Sequence, residues 1–488
     1  MSRPSLSAPA CQTVPWILLS VYSACCLAVW TTDQWLHEWD SSIYVLAGQA
    51  LADGAGYTYL GEPLFLRPPG FSWLLSLFVD GSTERFGFLN QLVMCFAATS
   101  AVAVYLCLLP NSGPWIAVAI SLLTGTCTIF TGNFNWIVAE FPFLTLLFLS
   151  IWILDRSTTR SRRWWLWSLC GAILLATAIH LRTAGLVLLP AILLLGVRAE
   201  RGWQRLRILL PIAVVVLLAL PWLIHAHREA AVSERPTDQR LLFDYTTAMW
   251  HVDSGDPGSP HLSMKQWLGR IRGNGRLLGE QLARVVVGSK SLWAAFFVGA
   301  FVLIGFAVKV RWNVSLLDGV AVWYTLLLLV YFSYHPRLVL PLVPCIYFYL
   351  MTAVMTVTRL FAARSQYTKL VPVVSGLTIA LLLCLNLSML PNRGLKQSEL
   401  RTYELARWLR NNTPEDAVIL CSQAPTLSIL SGRRAYTYRF PRQRDLISKY
   451  NVDYVVVCRD TDPDLQTQAR ERERSHHRVA GCVVVELR

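Results

Sequence analysis

The sequence predicts an α-helical polytopic membrane protein with about 11 transmembrane helices, interfacial helices in its first outer loop and a small C-terminal α/β domain. Of its 488 residues, 54% are hydrophobic and only 15% are charged, a balance that suits neither a soluble enzyme nor a disordered chain. The net charge of +14 does not indicate a nucleic-acid partner, because many basic residues sit in short clusters between apolar runs.

The apolar runs define eleven candidate spans, most of them close to the 20 or so residues that cross about 30 Å of hydrocarbon. They lie at 13–31, 86–109, 113–131, 136–154, 164–180, 184–197, 208–225, 291–308, 315–334, 338–357 and 370–390. We interpret the first as a retained span rather than a signal peptide, because it lacks a convincing small-residue cleavage site.

The distribution of basic residues predicts the orientation. One set of alternate loops carries most of them, whereas the opposite short loops hold single ones, as the positive-inside rule requires for a cytoplasmic N-terminus. The basic set is Arg156, Arg160, Arg162, Arg163, Arg198, Arg201, Arg205, Arg207, Lys309, Arg311, Arg359, Arg364 and Lys369. With an odd number of spans, residues 1–390 form a transmembrane domain, and three regions lie on the periplasmic or extracellular face: 31–85, 226–290 and the tail 391–488.

The tail has the pattern of a small α/β domain. "TYELARWLRNN" has helical spacing, "DAVILC" and "VDYVVVC" are typical of buried parallel strands, and "GCVVVEL" predicts a last strand. The three tail cysteines, Cys421, Cys458 and Cys482, are either free or paired, and their spacing does not decide between the two.

Outer-face placement limits the chemistry, because ATP and nucleotide sugars are cytoplasmic. The sequence contains no Walker loop, GxGxxG, HExxH or GxSxG motif. "DTDPD" at 460–464 is similar to the DxD metal motif of nucleotide-sugar transferases, but on this face we interpret it as a polar turn after a strand.

Five charged residues are predicted to gather at the outer ends of the spans. Asp40 and Arg67 belong to the first loop, Glu140 is expected one turn into the fourth span, Arg182 follows the fifth span, and Arg337 begins the tenth. Because a charge at this depth is costly and usually faces a cavity, the five predict a polar site. The alternative for the arginines is snorkelling to the interface, which the shorter Glu140 cannot do.

The first loop is predicted to contain two short helices. Apolar residues at i, i+3 and i+4 spacing predict an amphipathic helix over 41–53 that lies along the membrane and ends at Gly54 and Gly56. Asp40 immediately precedes it, so this aspartate is either an N-cap, a catalytic group, or both. The Arg-Pro-Pro triplet that begins at Arg67 predicts the start of a second interfacial helix.

The same loop carries a family resemblance. "WDSSIYVLAGQALADGAGYTYLGEPLFLRPPGFSWLL" resembles the first periplasmic loop of the GT-C glycosyltransferases, with Asp40, Tyr44, Gly54 and the Arg67 triplet at the motif positions. This superfamily includes the bacterial aminoarabinose transferases of lipid A, the protein mannosyltransferases and lipopolysaccharide glycosyltransferases that use polyprenyl-linked sugars. Three further segments are similar to motifs of the family: "AEFPFLTLLFL", "HLRTAGLVLLPAILLL" and "HPRLVLPLVPCIYFYL".

Two departures from the family pattern stand out. Ser41 replaces the second acid of the Asp-Glu form, which puts any paired acid or metal there in doubt. The family's Pro-Trp-x-x-Arg-Asn segment is present as "PWLIHAHREA", without the asparagine.

The resemblance implies an inverting glycosyltransferase that moves a sugar from a polyprenyl phosphate to a lipid, glycan or protein acceptor. Asp40 would deprotonate or orient the acceptor, and Arg67, followed by Arg182 and Arg337, would hold the phosphate. The remaining site residues are Glu140, which would orient an arginine or contact the sugar, and Tyr44. No cofactor is implied with certainty, a divalent metal is left open, and the expected location is the inner membrane of a bacterium.

A polytopic transporter or flippase is the alternative, although transporters place their charges near the midplane and often contain inverted repeats. A membrane anchor with a partner-binding tail is a third class, and it does not explain the first loop. His225, His251 and Asp253 are further outer-face residues, for which we favour a solvated or capping role. Because asparagine caps as well as aspartate does, we expect Asp40→Asn to abolish transfer without changing stability.

Overall fold

The protein, described here from a computed structural model, is mostly helical. The structure describes residues 10–33, 35–36, 39–65, 67–79, 86–157, 163–198, 202–232, 249–252, 259–365, 370–390, 396–437, 446–458 and 463–487. Seven helices in these ranges are long and apolar enough to cross a membrane.

The first 390 residues contain fourteen described α-helices, numbered here in chain order. They are α1 (Ala10–Trp30), α2 (Trp39–Ala52), α3 (Gly70–Ser76), α4 (Phe86–Thr126), α5 (Thr128–Thr131), α6 (Glu140–Ser157), α7 (Trp164–Leu181), α8 (Leu188–Arg198), α9 (Gly202–Val232), α10 (Met264–Val287), α11 (Leu292–Trp312), α12 (Leu316–Val330), α13 (Val343–Ser365) and α14 (Leu370–Ser388). Every expected span overlaps one of these helices. The spans expected at 86–109 and 113–131 overlap a single helix, α4, which breaks at Gly113 (φ 75°) between Pro110 and Pro114.

Two helix starts differ from the expectation, and both concern charged residues. Helix α2 begins at Trp39, so Asp40 lies within its first turn and is not the N-cap. Glu140 is the first residue of α6 rather than one turn into it, where its negative charge complements the positive end of the helix dipole. As expected, α2 ends just before Gly54 and Gly56, which adopt positive φ angles of 74° and 79°.

The second expected loop contains the amphipathic helix α10, which the sequence reading did not predict. A capping box starts it, since Ser263 and Gln266 bond to each other's backbone, and Gly288 ends it in the left-handed conformation. Helix α10 packs against α11 and α12.

The C-terminal residues form a small α/β unit with its own apolar core. Its elements are α15 (Gln397–Asn412), β3 (Val418–Cys421), α16 (Ala424–Ser431), β4 (Arg434–Thr437), α17 (Leu446–Lys449), β5 (Tyr454–Val457), α18 (Pro463–Glu471), β6 (Ser475–Val479) and β7 (Cys482–Glu486). The first loop holds the two-residue strands β1 (Thr58–Tyr59) and β2 (Glu62–Pro63), which pair with each other.

The tail strands lie in the order β4-β3-β5-β7-β6. Strands β3 and β5 are parallel, as predicted, and β7 pairs antiparallel with β5. A disulfide joins Cys458 at the end of β5 to Cys482 at the start of β7, whereas Cys421 is free and buried. Of the "DTDPD" stretch, residues 460–462 lie outside the described ranges and Pro463 begins α18.

The tail docks directly on helix α2. The buried hydroxyls of Ser42 in α2 and Thr426 in α16 are hydrogen-bonded at 2.9 Å. Tyr403 in α15 donates its hydroxyl to the Trp35 carbonyl at 2.8 Å. Burial raises the pKa of Tyr403 to about 12, so the phenol keeps the proton that it donates at neutral pH. Helix α2 is therefore covered by the tail as well as by α3.

We predict that Thr426→Val loosens this docking. The substitution keeps the side chain's shape but removes the hydroxyl bond to Ser42, at a cost of about 1–3 kcal/mol in the free energy of unfolding. In a double-mutant cycle with Ser42→Ala, thermal unfolding in detergent should give a combined loss smaller than the sum of the single losses. Thr378→Val, which removes only a bond to the Val374 carbonyl within α14, is the matched control. Strictly additive losses at Ser42 and Thr426 would contradict the docking role.

Candidate active site

Two arginines of the site stand at matching interruptions of the helical backbone. Arg182 ends α7 in an extended conformation and is followed by a 3-10 helix, Thr183–Val187, before α8 begins. Arg337 lies in the 3-10 helix Pro336–Leu342 that precedes α13, where the His335 side chain accepts a hydrogen bond from its backbone N–H. Each interruption ends one helix at the same end of the bundle and turns the next one back, so both guanidinium groups are presented there.

Arg67 reaches the same end because the helix that follows it packs closely on α7. Helix α3 starts directly after the two prolines, as predicted, with Pro69 at its N-cap. A side chain at Gly70 would have its Cβ 2.6 Å from the His180 carbonyl oxygen, which is closer than real contacts allow. Glycine at this position therefore lets the Arg-Pro-Pro segment sit against the last turn of α7, two residues before Arg182.

The five predicted charges form one continuous chain of ion pairs. Asp40 contacts Arg67 through one carboxylate oxygen and Arg337 through the other. Arg337 also places its Nε 3.1 Å from Glu140 Oε1, and Glu140 contacts Arg182. The order Arg67–Asp40–Arg337–Glu140–Arg182 alternates in sign along its whole length.

Most side chains of this ion-pair chain are buried. The Glu140 side chain is 5% exposed and Arg337 is 7% exposed, whereas Asp40 is the most open member at 23%. Among these five residues, three guanidinium groups face two carboxylates. In a buried setting such an excess favours an anion, because ion pairing recovers part of the cost of desolvation.

Two tyrosines surround Arg67. The Arg67 guanidinium lies 5.8 Å from the ring centre of Tyr44, within the range of a cation–π contact. The Tyr57 hydroxyl, which the sequence reading did not single out, donates to the Arg67 carbonyl at 3.0 Å and so holds the backbone of the Arg-Pro-Pro segment. The buried Arg67 Nη1 has no hydrogen-bond partner among the described residues.

Ser41, at the position of the family's second acid, has a structural partner. It is fully buried, and its hydroxyl accepts a 2.7 Å hydrogen bond from the indole N–H of Trp35. The Trp35 ring stacks on Phe86 with 4.7 Å between the ring centres, and the Trp35 backbone carbonyl accepts the hydrogen bond from Tyr403. The residue after Asp40 is therefore tied to the tail through Trp35. Within the described ranges, no three His, Cys, Asp or Glu side chains come together as metal ligands.

The other outer-face candidates do not join the ion-pair chain. His225 is exposed near the end of α9, with its ring 5.9 Å from Trp222. His251 forms an isolated β-bridge with His261 beside α10. Asp253 lies outside the described residues.

A cavity of about 320 Å³ opens beside the ion-pair chain. Arg337 is part of its wall, and the rest of the lining comes from the end of α1, the loop after α1, α5, the segment after α5, α10, the two residues before Arg337 and the start of the tail. The sequence reading did not identify Asn133 and Asn135 in this wall, although "GNFNW" between two apolar runs is a polar interruption that could have indicated them.

The fold is that of known membrane glycosyltransferases. The crystal structure of ArnT from Cupriavidus metallidurans bound to undecaprenyl phosphate is similar over 97% of this chain and 98% of its own, with a TM-score of 0.60 and 12% identity. The oligosaccharyltransferase AglB from Archaeoglobus fulgidus, in complex with an inhibitory peptide and a dolichol-phosphate, is similar over 91% of this chain and 69% of its own, with a TM-score of 0.57 and 12% identity.

Sequence comparison alone finds no match, either among protein-family models or among curated proteins. The likeness is therefore one of architecture, and at 12% identity it does not distinguish one member of the group from another. The chain is an integral membrane protein with the fold of the GT-C glycosyltransferases.

Proposed function

We propose that the protein is an inverting glycosyltransferase that takes a sugar from a polyprenyl-phosphate donor and passes it to a lipid, glycan or protein acceptor. Residues 1–390 would be the transferase domain and 391–488 an outer domain that supports it. The observation that carries the proposal is the alternating ion-pair chain, which combines a partly open carboxylate with buried guanidinium groups in excess.

The excess positive charge suits a phosphate leaving group. Arg67 has an unused Nη1 donor, and guanidinium groups bind phosphate through paired, charge-assisted hydrogen bonds. Likeness to ArnT, whose structure holds undecaprenyl phosphate, and to AglB, whose structure holds dolichol-phosphate, supports a polyprenyl phosphate as the donor lipid.

In the proposed reaction, the acceptor oxygen attacks the anomeric carbon and the bond from that carbon to the phosphate oxygen breaks. The electron pair leaves with the polyprenyl phosphate, whose charge is held by Arg67 and Arg337, and the acceptor's proton passes to Asp40. Asp40 has both arginines as partners in the structure. A phosphate that draws one of them away would leave Asp40 a stronger base as the donor binds.

The arrangement of charges favours this function over transport. The five charged residues gather at one end of the helices rather than at their midpoints. The Lys309–Asp318 ion pair lies at the opposite end, where α11 finishes and α12 starts. A transporter would instead need a site reachable from both ends.

We predict that Asp40→Asn lowers sugar transfer by about 10²–10⁴-fold, because the acceptor loses its general base. Mass spectrometry of envelope glycans from cells with and without the gene identifies the product, and the variant is then tested for restoring it. Asp416→Asn, which neutralises an exposed aspartate of the tail, should restore it fully. Normal product from Asp40→Asn would refute the catalytic role.

The structure changes what we expect for the stability of this variant. Asp40 is not a helix cap but the shared partner of two buried arginines, so Asp40→Asn should also lower the unfolding temperature in detergent. Lipid binding by the full-length protein in nanodiscs separates inactivity from unfolding, because only the folded protein binds.

We predict that Asp40→Asn binds undecaprenyl phosphate at least as tightly as the unaltered protein, because the carboxylate that competes for the arginines is gone. Arg67→Ala should weaken that binding by about tenfold to a hundredfold, the value of one hydrogen bond to a charged group. Native mass spectrometry of the nanodisc-embedded protein measures both, and Arg276→Ala, at an exposed arginine of α10, is the control with the same charge change. Equal affinities for Arg67→Ala and Arg276→Ala would contradict the phosphate assignment.

We further propose that the site faces the periplasm or cell exterior. The clustered basic residues near Arg156 and Arg163 lie at the far ends of α6 and α7 from the site, in agreement with the positive-inside rule. The Cys458–Cys482 disulfide also favours an oxidising compartment for the tail.

We predict that alkaline phosphatase fused after residue 395 is active, because this enzyme folds only outside the cytoplasm. A fusion after residue 313, between α11 and α12, should be inactive. The opposite pattern would overturn the orientation and, with it, the exclusion of nucleotide-sugar donors.

A further inference from the structure

The short connector between α1 and α2 is tied to the membrane domain by two asparagines. Asn135, in the segment after α5, donates its Nδ2 to the Trp30 carbonyl at 2.9 Å. Asn90 in α4 donates its Nδ2 to the Thr32 carbonyl at 2.8 Å. Both bonds end on backbone carbonyls, so they set the path of the connector itself rather than the position of one side chain.

Tyr403 adds a third bond of this kind, and this one comes from the tail. The Tyr403 hydroxyl in α15 donates to the Trp35 carbonyl at 2.8 Å. The Trp35 side chain is fully buried, with its ring stacked on Phe86, the first residue of α4. The C-terminal unit therefore helps to fix the connector just before α2 begins at Trp39.

The indole of Trp35 carries this constraint into α2. Its Nε1 donates to the Ser41 hydroxyl at 2.7 Å, and both side chains are fully buried. Ser41 directly follows Asp40 in the first turn of the helix, so the Cα atoms of these two residues are about 3.8 Å apart. A shift of Trp35 is thus passed to the backbone that carries Asp40.

A carboxylate that acts as a base needs this kind of support. It must lie within about 2.6–3.2 Å of the atom that gives up the proton, and a misplacement of about 1 Å can cost about 10²-fold in rate. The ion pairs of Asp40 with Arg67 and Arg337 do not fix that position alone, because long arginine side chains have many rotamers and can follow a carboxylate that moves. A buried hydrogen bond between packed residues is more rigid.

We infer that Tyr403 is a positioning residue, which acts through Trp35 and Ser41 to fix the first turn of α2 and, with it, the Asp40 carboxylate. Its effect on sugar transfer rests on the proposed function, whereas the ordering of α2 does not. The C-terminal unit is then part of the scaffold that aligns the base.

Hydrogen exchange in the full-length protein in nanodiscs tests the ordering of α2. In an α-helix the amides of residues 43–45 bond to the carbonyls of residues 39–41, so their exchange reports whether the first turn stays closed. Tyr403→Phe should raise their exchange rate about threefold or more. Tyr454→Phe, which removes the same hydroxyl from a partly buried tyrosine of β5, should leave it unchanged. Equal exchange in the two variants would overturn the inference.

The rate at which the gene-dependent envelope glycan appears after induction tests the positioning of Asp40. At equal amounts of folded protein, Tyr403→Phe should slow this rate about tenfold, because the base is less well aligned. Affinity for undecaprenyl phosphate, measured by native mass spectrometry in nanodiscs, should change less than about twofold, because the backbone at Arg67 is held by Tyr57 instead. A loss of affinity as large as the loss of rate would indicate a general disturbance and would contradict the positioning role.

A second substitution tests the route through Trp35. Ser41→Ala removes the acceptor of the indole N–H and should slow the reaction as well. Because both changes break one path, adding Tyr403→Phe to Ser41→Ala should slow it further by less than about twofold. A full additional tenfold loss would show that Tyr403 acts by another route. If Ser41→Ala does not fold, Trp35→Phe breaks the same link and leaves the Trp35 carbonyl in place.

The outcome is separable from that of the proposed function. Envelope glycans unchanged by loss of the gene would refute the transferase, and the exchange measurement would still decide whether Tyr403 orders α2. A gene-dependent glycan that appears at the normal rate in Tyr403→Phe would refute the positioning role and leave the transferase standing.

Discussion

The alternating chain Arg67–Asp40–Arg337–Glu140–Arg182 is the interaction on which the rest of the site depends. Its members come from five separate places in the sequence, and each charge compensates its neighbours in a setting that excludes most water. Removing Asp40 or Glu140 would take a carboxylate away from two guanidinium groups at once, which is costly where most water is excluded. The two 3-10 helices and the close approach at Gly70 place the backbone so that these charged side chains can meet.

The five residues of the ion-pair chain include more guanidinium groups than carboxylates, and this difference suits the cluster to bind an anion. A cluster of equal charges would be satisfied without a ligand, whereas three guanidinium groups against two carboxylates can accept an anion. Asp40 holds the two arginines in place before a ligand binds and is the most exposed member of the chain.

The C-terminal unit is joined to this site by hydrogen bonds. It contacts α2 through Thr426 and holds Trp35 through Tyr403, while Trp35 in turn binds Ser41, the residue next to Asp40. It also contributes Lys396 and Glu399 to the cavity wall. A tail that only tethered a partner would not need a buried hydroxyl pair with α2.

The sequence alone determined the membrane class, the positions of the apolar helices and the five charged residues that the structure brings into contact, because hydropathy and the cost of a charge in hydrocarbon are local properties of the polypeptide. It could not determine that Asp40 lies inside α2 and pairs with two arginines, since Arg337 is 297 residues away and only packing brings the two together. The same holds for the tail on α2, for the Cys458–Cys482 pair and for Asn133 and Asn135. Whether a buried polar atom has a partner depends on distant backbone, and that is decided only in the tertiary structure.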